Sequence, residues 1–289
     1  MTLFLFYITL LFFFLGGAGT YLAGRKQTPT ERKKNWLKYF TYFLIIIFLY
    51  GCICLAENIF PWICLSIVFA GLFEIICLQK KNPQKRSVFY SILFIYVLIS
   101  AGFYFFSSLS QSLLLYALFT VCTFDAFCQI AGQLVGKNKI CPQISPNKTY
   151  EGLFGGLCMA ICTFFIIGKI LGFSISFTII TGVGICLFSF VGDLSASWVK
   201  RKYGVKDFSS ALPGHGGFLD RFDSFIASGA FVYLFHLLFT IAWMLNYYTV
   251  FCSFRVLHWY LCSVSFCIKK VFKLNTPGSS PIRCQHYYA

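Results

Sequence analysis

Charge is what this sequence has least of. Only 11% of its 289 residues are Asp, Glu, Lys or Arg, whereas a soluble domain carries about 25%. So few charges do not cover a water-facing surface, which excludes an ordinary soluble globule. A content of 58% hydrophobic residues also excludes disorder. Acids are scarcer still, 9 against 24 Lys and Arg, for a net charge of +15. In a soluble chain that balance would suggest nucleic acid as a partner. In a membrane protein it first reflects cytoplasmic loops, which collect Lys and Arg. No pair of Cys-x-x-Cys units stands at zinc spacing. Most of the 14 cysteines, among them Cys52, Cys54, Cys158 and Cys162, lie in apolar runs, where cysteine packs as a small apolar residue. The chain has no internal repeat, low-complexity tract or stretch that reads as a soluble domain.

Apolar runs, by contrast, are abundant. A helix needs about 20 apolar residues to cross a bilayer, and nine segments are expected to do so. They fall at roughly 2–22, 37–56, 61–78, 88–106, 112–130, 152–170, 174–192, 224–245 and 248–268. The first has no basic flank and too long an apolar run for a cleaved signal, so it reads as a retained helix. The connections alternate in charge. Residues 23–38, 79–87, 131–151, 193–223 and the tail after 268 are basic, and the gaps between them have almost no Lys or Arg. The positive-inside rule then places the N-terminus outside and the C-terminus in the cytoplasm. The expected architecture is an all-α, polytopic integral membrane protein with about nine transmembrane helices. Three regions are expected: N-terminal helices over 1–110, a central region over 111–247 with cytoplasmic loops at 131–151 and 193–223, and a last helix with a basic tail over 248–289.

The few acids are unevenly spread. Six of the nine fall between Asp125 and Asp223, and four of these, Asp193, Asp207, Asp220 and Asp223, fall in the segment 193–223. That segment also holds Lys200, Arg201, Lys202, Lys206, Arg221 and four glycines. Carboxylates bind hard cations through oxygen, Lys and Arg bind phosphates, and glycine lets backbone approach a ligand. The mixture suits a metal-bound polyphosphate. A solvated loop with local ion pairs is the competing reading.

The order of these residues resembles a known family. Ser197, Lys200-Arg201, Lys206-Asp207, Ser209, Leu212-Pro213, His215-Gly216-Gly217, Asp220-Arg221 and Asp223 follow one another over 27 residues. This run is similar to the signature of phosphatidate cytidylyltransferases, the CDP-diacylglycerol synthases. A second block resembles the family's other cytoplasmic motif: Asp125, Gly132, Gly136-Lys137, Lys139 and Ile144-Ser145-Pro146-Asn147-Lys148-Thr149, then Glu151-Gly152. The resemblance runs from about 120 to 245. It departs from the family at Cys128, Gln129 and Gln133, and residues 248–289 match nothing in it.

The resemblance implies that CTP and phosphatidate react to give CDP-diacylglycerol and pyrophosphate. It implies Mg²⁺, with room for a second cation, held by Asp193, Asp220 and Asp223. Lys200, Arg201, Lys206 and Arg221 would then hold phosphates, with His215 donating to a phosphate or shaping its loop. Ser145, Lys148, Thr149, Asp207 and Asp125 are candidate substrate-binding residues. Each has a structural alternative. For Asp193 the alternative is a helix cap, for Asp223, with equal weight, an acid complementing a helix N-terminus, and for Thr149 with Glu151 a capping arrangement. His236, His258 and His286 read as structural. Glu74 is an intramembrane acid outside the motifs, a position that by default marks function. Further expectations are a bacterial inner-membrane location, a cytoplasm-facing site, no nucleic-acid partner and, by family analogy, a homodimer. Two other functions remain open: a sibling CTP-dependent enzyme acting on another lipid phosphate or polyprenol, and a transporter.

Overall fold

A computed structural model describes residues 2–25, 28–55, 58–209 and 216–242. The chain divides into two compact units, residues 1–236 and 237–289, and the fold below is that of the first. Its helices are α1 (Thr2–Gly24), α2 (Pro29–Leu55), α3 (Phe60–Lys81), α4 (Arg86–Phe106) and α5 (Gln111–Val135). A short antiparallel hairpin follows, β1 (Lys139–Cys141) and β2 (Ser145–Thr149). Then come α6 (Tyr150–Ile170), α7 (Ile175–Lys202) and α8 (Leu219–Ala242). Seven of these helices, α2 to α8, are long and apolar enough to cross a membrane, and α1 covers the first expected segment. The protein is an all-α, multi-pass integral membrane protein. The expected span at 248–268 and the basic tail lie outside the described residues.

The helix α5 forms the axis of the bundle. Leu113 to Val121 are buried without a break, and α1, α2, α6 and α7 all pack on it. Its tightest partner is α6, because both helices present small residues where they meet. A Cβ on Gly152 would lie 2.7 Å from the Cys128 carbonyl oxygen, and one on Gly155 would lie 2.5 Å from Ala131 Cβ. Small-residue contacts of this kind let membrane helices approach closely. Polar cross-links act at other interfaces: the Tyr116 hydroxyl of α5 donates to the Thr178 carbonyl of α7 at 2.7 Å, and Tyr96 of α4 donates to the Val68 carbonyl of α3 at 2.8 Å. Large apolar side chains such as Phe69, Phe94 and Ile180 point outward, as a lipid-facing surface requires.

Two expectations are corrected by the fold. Residues 193–202 are not loop, because α7 continues for nine residues beyond Asp193. That stretch contains neither Gly nor Pro and so gives the helix no reason to stop. It ends at Gly204, whose φ of +68° and hydrogen bonds, Gly204 N to Arg201 O and Val205 N to Lys200 O, form a Schellman cap. Lys200, Arg201 and Lys202 in the last turn complement the helix dipole. Likewise the expected loop 131–151 is helix as far as Val135 and then a β-hairpin.

Candidate functional site

Both motifs lie at the same end of the bundle and are stapled together. Arg201 Nε donates to the Ile144 carbonyl in the hairpin turn, and its Nη1 donates to the Val205 carbonyl, each at 3.1 Å. Thr149 is the N-cap of α6, with its Oγ1 accepting from Gly152 N at 3.1 Å. Glu151 accepts from the backbone of Lys137 and Asn138 at 3.1 Å and from Asn138 Nδ2 at 2.8 Å. Thr149 is therefore a helix cap, whereas Glu151, in the first turn of α6, instead ties residues 137 and 138 to that helix. Ser145 opens β2 opposite Cys141.

Lys148, on β2, reaches α7. Its ammonium lies 3.0 Å from Asp193 Oδ2, donates to the Phe190 carbonyl at 3.3 Å and sits 4.3 Å from the Phe190 ring centre. The other Asp193 oxygen accepts from Ser197 Oγ at 3.4 Å, one helical turn on. This carboxylate is within α7, so it is not a helix cap, and its side chain is 40% exposed. On the facing helix Asp125 accepts from Ser189 Oγ at 2.7 Å. Asp125, Asp193 and Asp223, from α5, α7 and α8, lie within electrostatic reach of one another.

The second cluster is built on Asp220, in the first turn of α8. Its Oδ1 meets Lys200 Nζ at 2.6 Å, and its Oδ2 accepts from Phe208 N at 3.0 Å and Gly217 N at 2.8 Å. Both side chains are largely buried, and the Lys200 ammonium lies 5.4 Å from the Phe208 ring centre. In this arrangement Lys200 neutralises a carboxylate and Asp220 ties the segment after α7 to the start of α8. Gly216 supports the turn with a φ of +82°. Asp223 sits one turn further along α8, where its Oδ1 accepts from Ser224 N at 2.8 Å.

Glu74 is the residue whose importance the sequence understated. It is buried in α3, yet its Oε1 accepts from Ser209 Oγ at 2.6 Å and Phe218 N at 2.8 Å, and its Oε2 accepts from Leu219 N at 2.8 Å. It thus caps the N-terminus of α8 from another helix and anchors both ends of the segment 209–219. A Cβ on Gly217 would lie 2.7 Å from this carboxylate, so the close approach that glycine permits here is to Glu74. Its signal was only that of an acid in an apolar run. From the same helix Gln79 accepts from the Tyr203 hydroxyl at 2.7 Å, and burial pushes that phenol above its ordinary value.

Lys206 and Asp207 are exposed on the segment beyond Gly204, and His215 lies outside the described residues. Arg221 points the other way, into a cavity of about 170 Å³ between α1, α2, α5 and α8. The substituted positions Gln129 and Gln133 line the same cavity. Cys128 instead packs at the α5–α6 contact, against the position a Cβ of Gly156 would take.

Among the described residues, no three His, Cys, Asp or Glu side chains stand in a ready metal-ligating group. The donor chemistry at the first cluster still fits a hard divalent cation. It offers carboxylate oxygens from three helices that repel one another unless a cation neutralises them, and Lys148 supplies part of that charge here.

The sequence profile of the cytidylyltransferase family matches residues 2–239. Over 133 residues the chain is 43% identical to a phosphatidate cytidylyltransferase of Staphylococcus haemolyticus (strain JCSC1435), covering 44% of this chain and 51% of that protein. Proteins of the same name from Staphylococcus epidermidis (strain ATCC 12228 / FDA PCI 1200) and Staphylococcus aureus (strain COL) are each 41% identical, with the same coverage. The chain spans about half the length of the curated relatives it matches.

Proposed function

The chain belongs to the cytidylyltransferase family, and from that premise we propose that it transfers the cytidylyl group of CTP to phosphatidate, giving CDP-diacylglycerol and pyrophosphate. The observation that carries this reading is the convergence of both motifs on one end of a membrane-embedded bundle. There Lys148 meets the α7 carboxylate Asp193, with the α5 and α8 carboxylates Asp125 and Asp223 close by, beside the apolar body of the protein. A transporter would be expected to carry its acids and helix breaks at mid-span, whereas here they gather at one end.

In the proposed reaction an anionic oxygen of the lipid phosphate attacks the α-phosphorus of CTP. A new P–O bond forms, the bond from the α-phosphorus to the β-phosphate bridging oxygen breaks, and pyrophosphate leaves with that electron pair. The nucleophile is already anionic near neutral pH, so no general base is required of His215. Such a transfer depends on alignment and charge neutralisation. Asp193 and Asp223, with Asp125 beside them, would hold Mg²⁺, which supplies charge neutralisation at the phosphates, whereas Asp220, expected from the motif as a third ligand, has its oxygens taken by Lys200, Phe208 N and Gly217 N and serves the scaffold. Lys148 would turn from the exposed Asp193 to a phosphate oxygen, while the buried Lys200 stays paired with Asp220. Lys206 and Asp207, exposed at the same end, would contact the nucleotide. Arg201 and Thr149 hold the two motif segments together.

The basic character of the connections supports placing this end in the cytoplasm of a bacterial inner membrane, where CTP is found. A homodimer rests on family analogy alone. Purified protein with labelled CTP, Mg²⁺ and phosphatidate is expected to yield a CDP-lipid. Product from another lipid phosphate but none from phosphatidate would overturn this reading in favour of a sibling enzyme. Probing Lys206 and Arg25 from each side of the membrane tests the orientation; finding Lys206 on the outer face would contradict it.

A further inference from the structure

The cavity that receives Arg221 is shaped for an amphiphile. Much of its wall is apolar, with Phe13, Leu49, Phe119 and Phe225 among the contributors, while Asp125 and Arg221 supply charge. One residue in it stands apart from both motifs. Tyr42, on α2, accepts a hydrogen bond from Arg221 Nη1 at 2.7 Å, and the guanidinium carbon lies 5.2 Å from its ring centre. Tyr42 is also within electrostatic reach of Asp125, Asp193 and Asp223. An N-terminal helix without any motif thus places a phenol beside the motif acids, against a motif arginine, in the wall of an apolar cavity.

We propose that Tyr42 is a positioning residue for the lipid substrate: it fixes the Arg221 guanidinium so that it receives the phosphate of a lipid phosphomonoester whose apolar part occupies this cavity. This rests on the function proposed above. Arginine binds phosphate through a planar fork whose orientation decides the contact, and a phenol that holds one edge of the fork sets that orientation. The apolar walls between α1, α2, α5 and α8 take chain rather than nucleotide.

The test compares the full-length wild type with Tyr42→Phe, which keeps the ring and removes the hydroxyl. Binding of short-chain phosphatidate, with diacylglycerol as control, is measured by thermal shift in detergent, alongside turnover. The wild type is expected to bind phosphatidate and not diacylglycerol. In Tyr42→Phe, phosphatidate binding and its KM should weaken about tenfold, the loss of one charge-assisted hydrogen bond, with kcat and the KM for CTP unchanged. Equal phosphatidate binding in the two proteins would overturn the inference, as would a lowered kcat with both KM values raised alike. As a second variant, Leu49→Trp narrows the apolar part and should weaken phosphatidate but not CTP; equal weakening of both would also overturn it. A wild type that binds phosphatidate through Tyr42 yet makes no CDP-lipid would sink the proposed function and leave this inference standing.

Discussion

Lys148 and Asp193 meet at 3.0 Å with the carboxylate 40% exposed, whereas Lys200 and Asp220 meet at 2.6 Å with the carboxylate 3% exposed. The chemistry of the two pairs is the same and their settings are opposite. Around Asp193 there is one further donor, Ser197, at 3.4 Å. Around Asp220 two backbone N–H groups complete the shell. An exposed pair contributes about 0–1 kcal/mol to stability and exchanges partners readily. A buried pair that also satisfies backbone donors is costly to break. The comparison separates the two aspartates that the motif alone treats alike: Asp193 is available to an incoming ligand, and Asp220 first holds the segment that positions the others.

The sharpest way to break this distinction is Asp220→Asn. It leaves the Lys200 charge buried and unneutralised, and removing one partner of a buried pair costs about 3–5 kcal/mol. Thermal unfolding in detergent should show a large loss of stability together with loss of turnover; a Tm near that of the wild type would mean the pair is not structural. Asp193→Asn should instead abolish turnover, on the order of a thousandfold for a lost cation ligand worth several kcal/mol. Its stability should change by less than about 1 kcal/mol. Near-normal turnover would refute its role as a cation ligand. Glu74→Gln sharpens the same contrast from a distance. Its amide cannot accept from Ser209, Phe218 and Leu219 together, and leaving one buried N–H unsatisfied costs about 1–3 kcal/mol. The expected outcome is a moderate drop in Tm and a lower kcat, and an unchanged Tm would remove Glu74 from the scaffold.

Most of the bundle could be read from the sequence, because a lipid-crossing helix has to be a long apolar run. The expected segments 61–78 and 88–106 fall within α3 and α4. The ends were harder. Hydropathy marks where lipid stops, not where backbone hydrogen bonding stops, so α7 runs on from Asp193 through a polar stretch to Gly204. The hairpin at 139–149 is too short for an alternation of apolar and polar residues to announce it. At the site, the motif residues were visible as a group, but their partners were not. That Asp220 faces Lys200 and that Glu74 caps α8 are contacts across 20 and about 145 positions of chain, set by helix packing. Tyr42 had no signal at all, since a tyrosine in an apolar run is ordinary.

The central claim is that the nucleotide loses pyrophosphate and keeps its α-phosphorus on the lipid. Parallel reactions with CTP labelled at the α- or the γ-phosphate test it directly. With phosphatidate and Mg²⁺, the α label should move entirely into lipid and the γ label should leave as pyrophosphate. A γ label found on lipid, with CDP released, would show phosphoryl rather than cytidylyl transfer and would contradict the account.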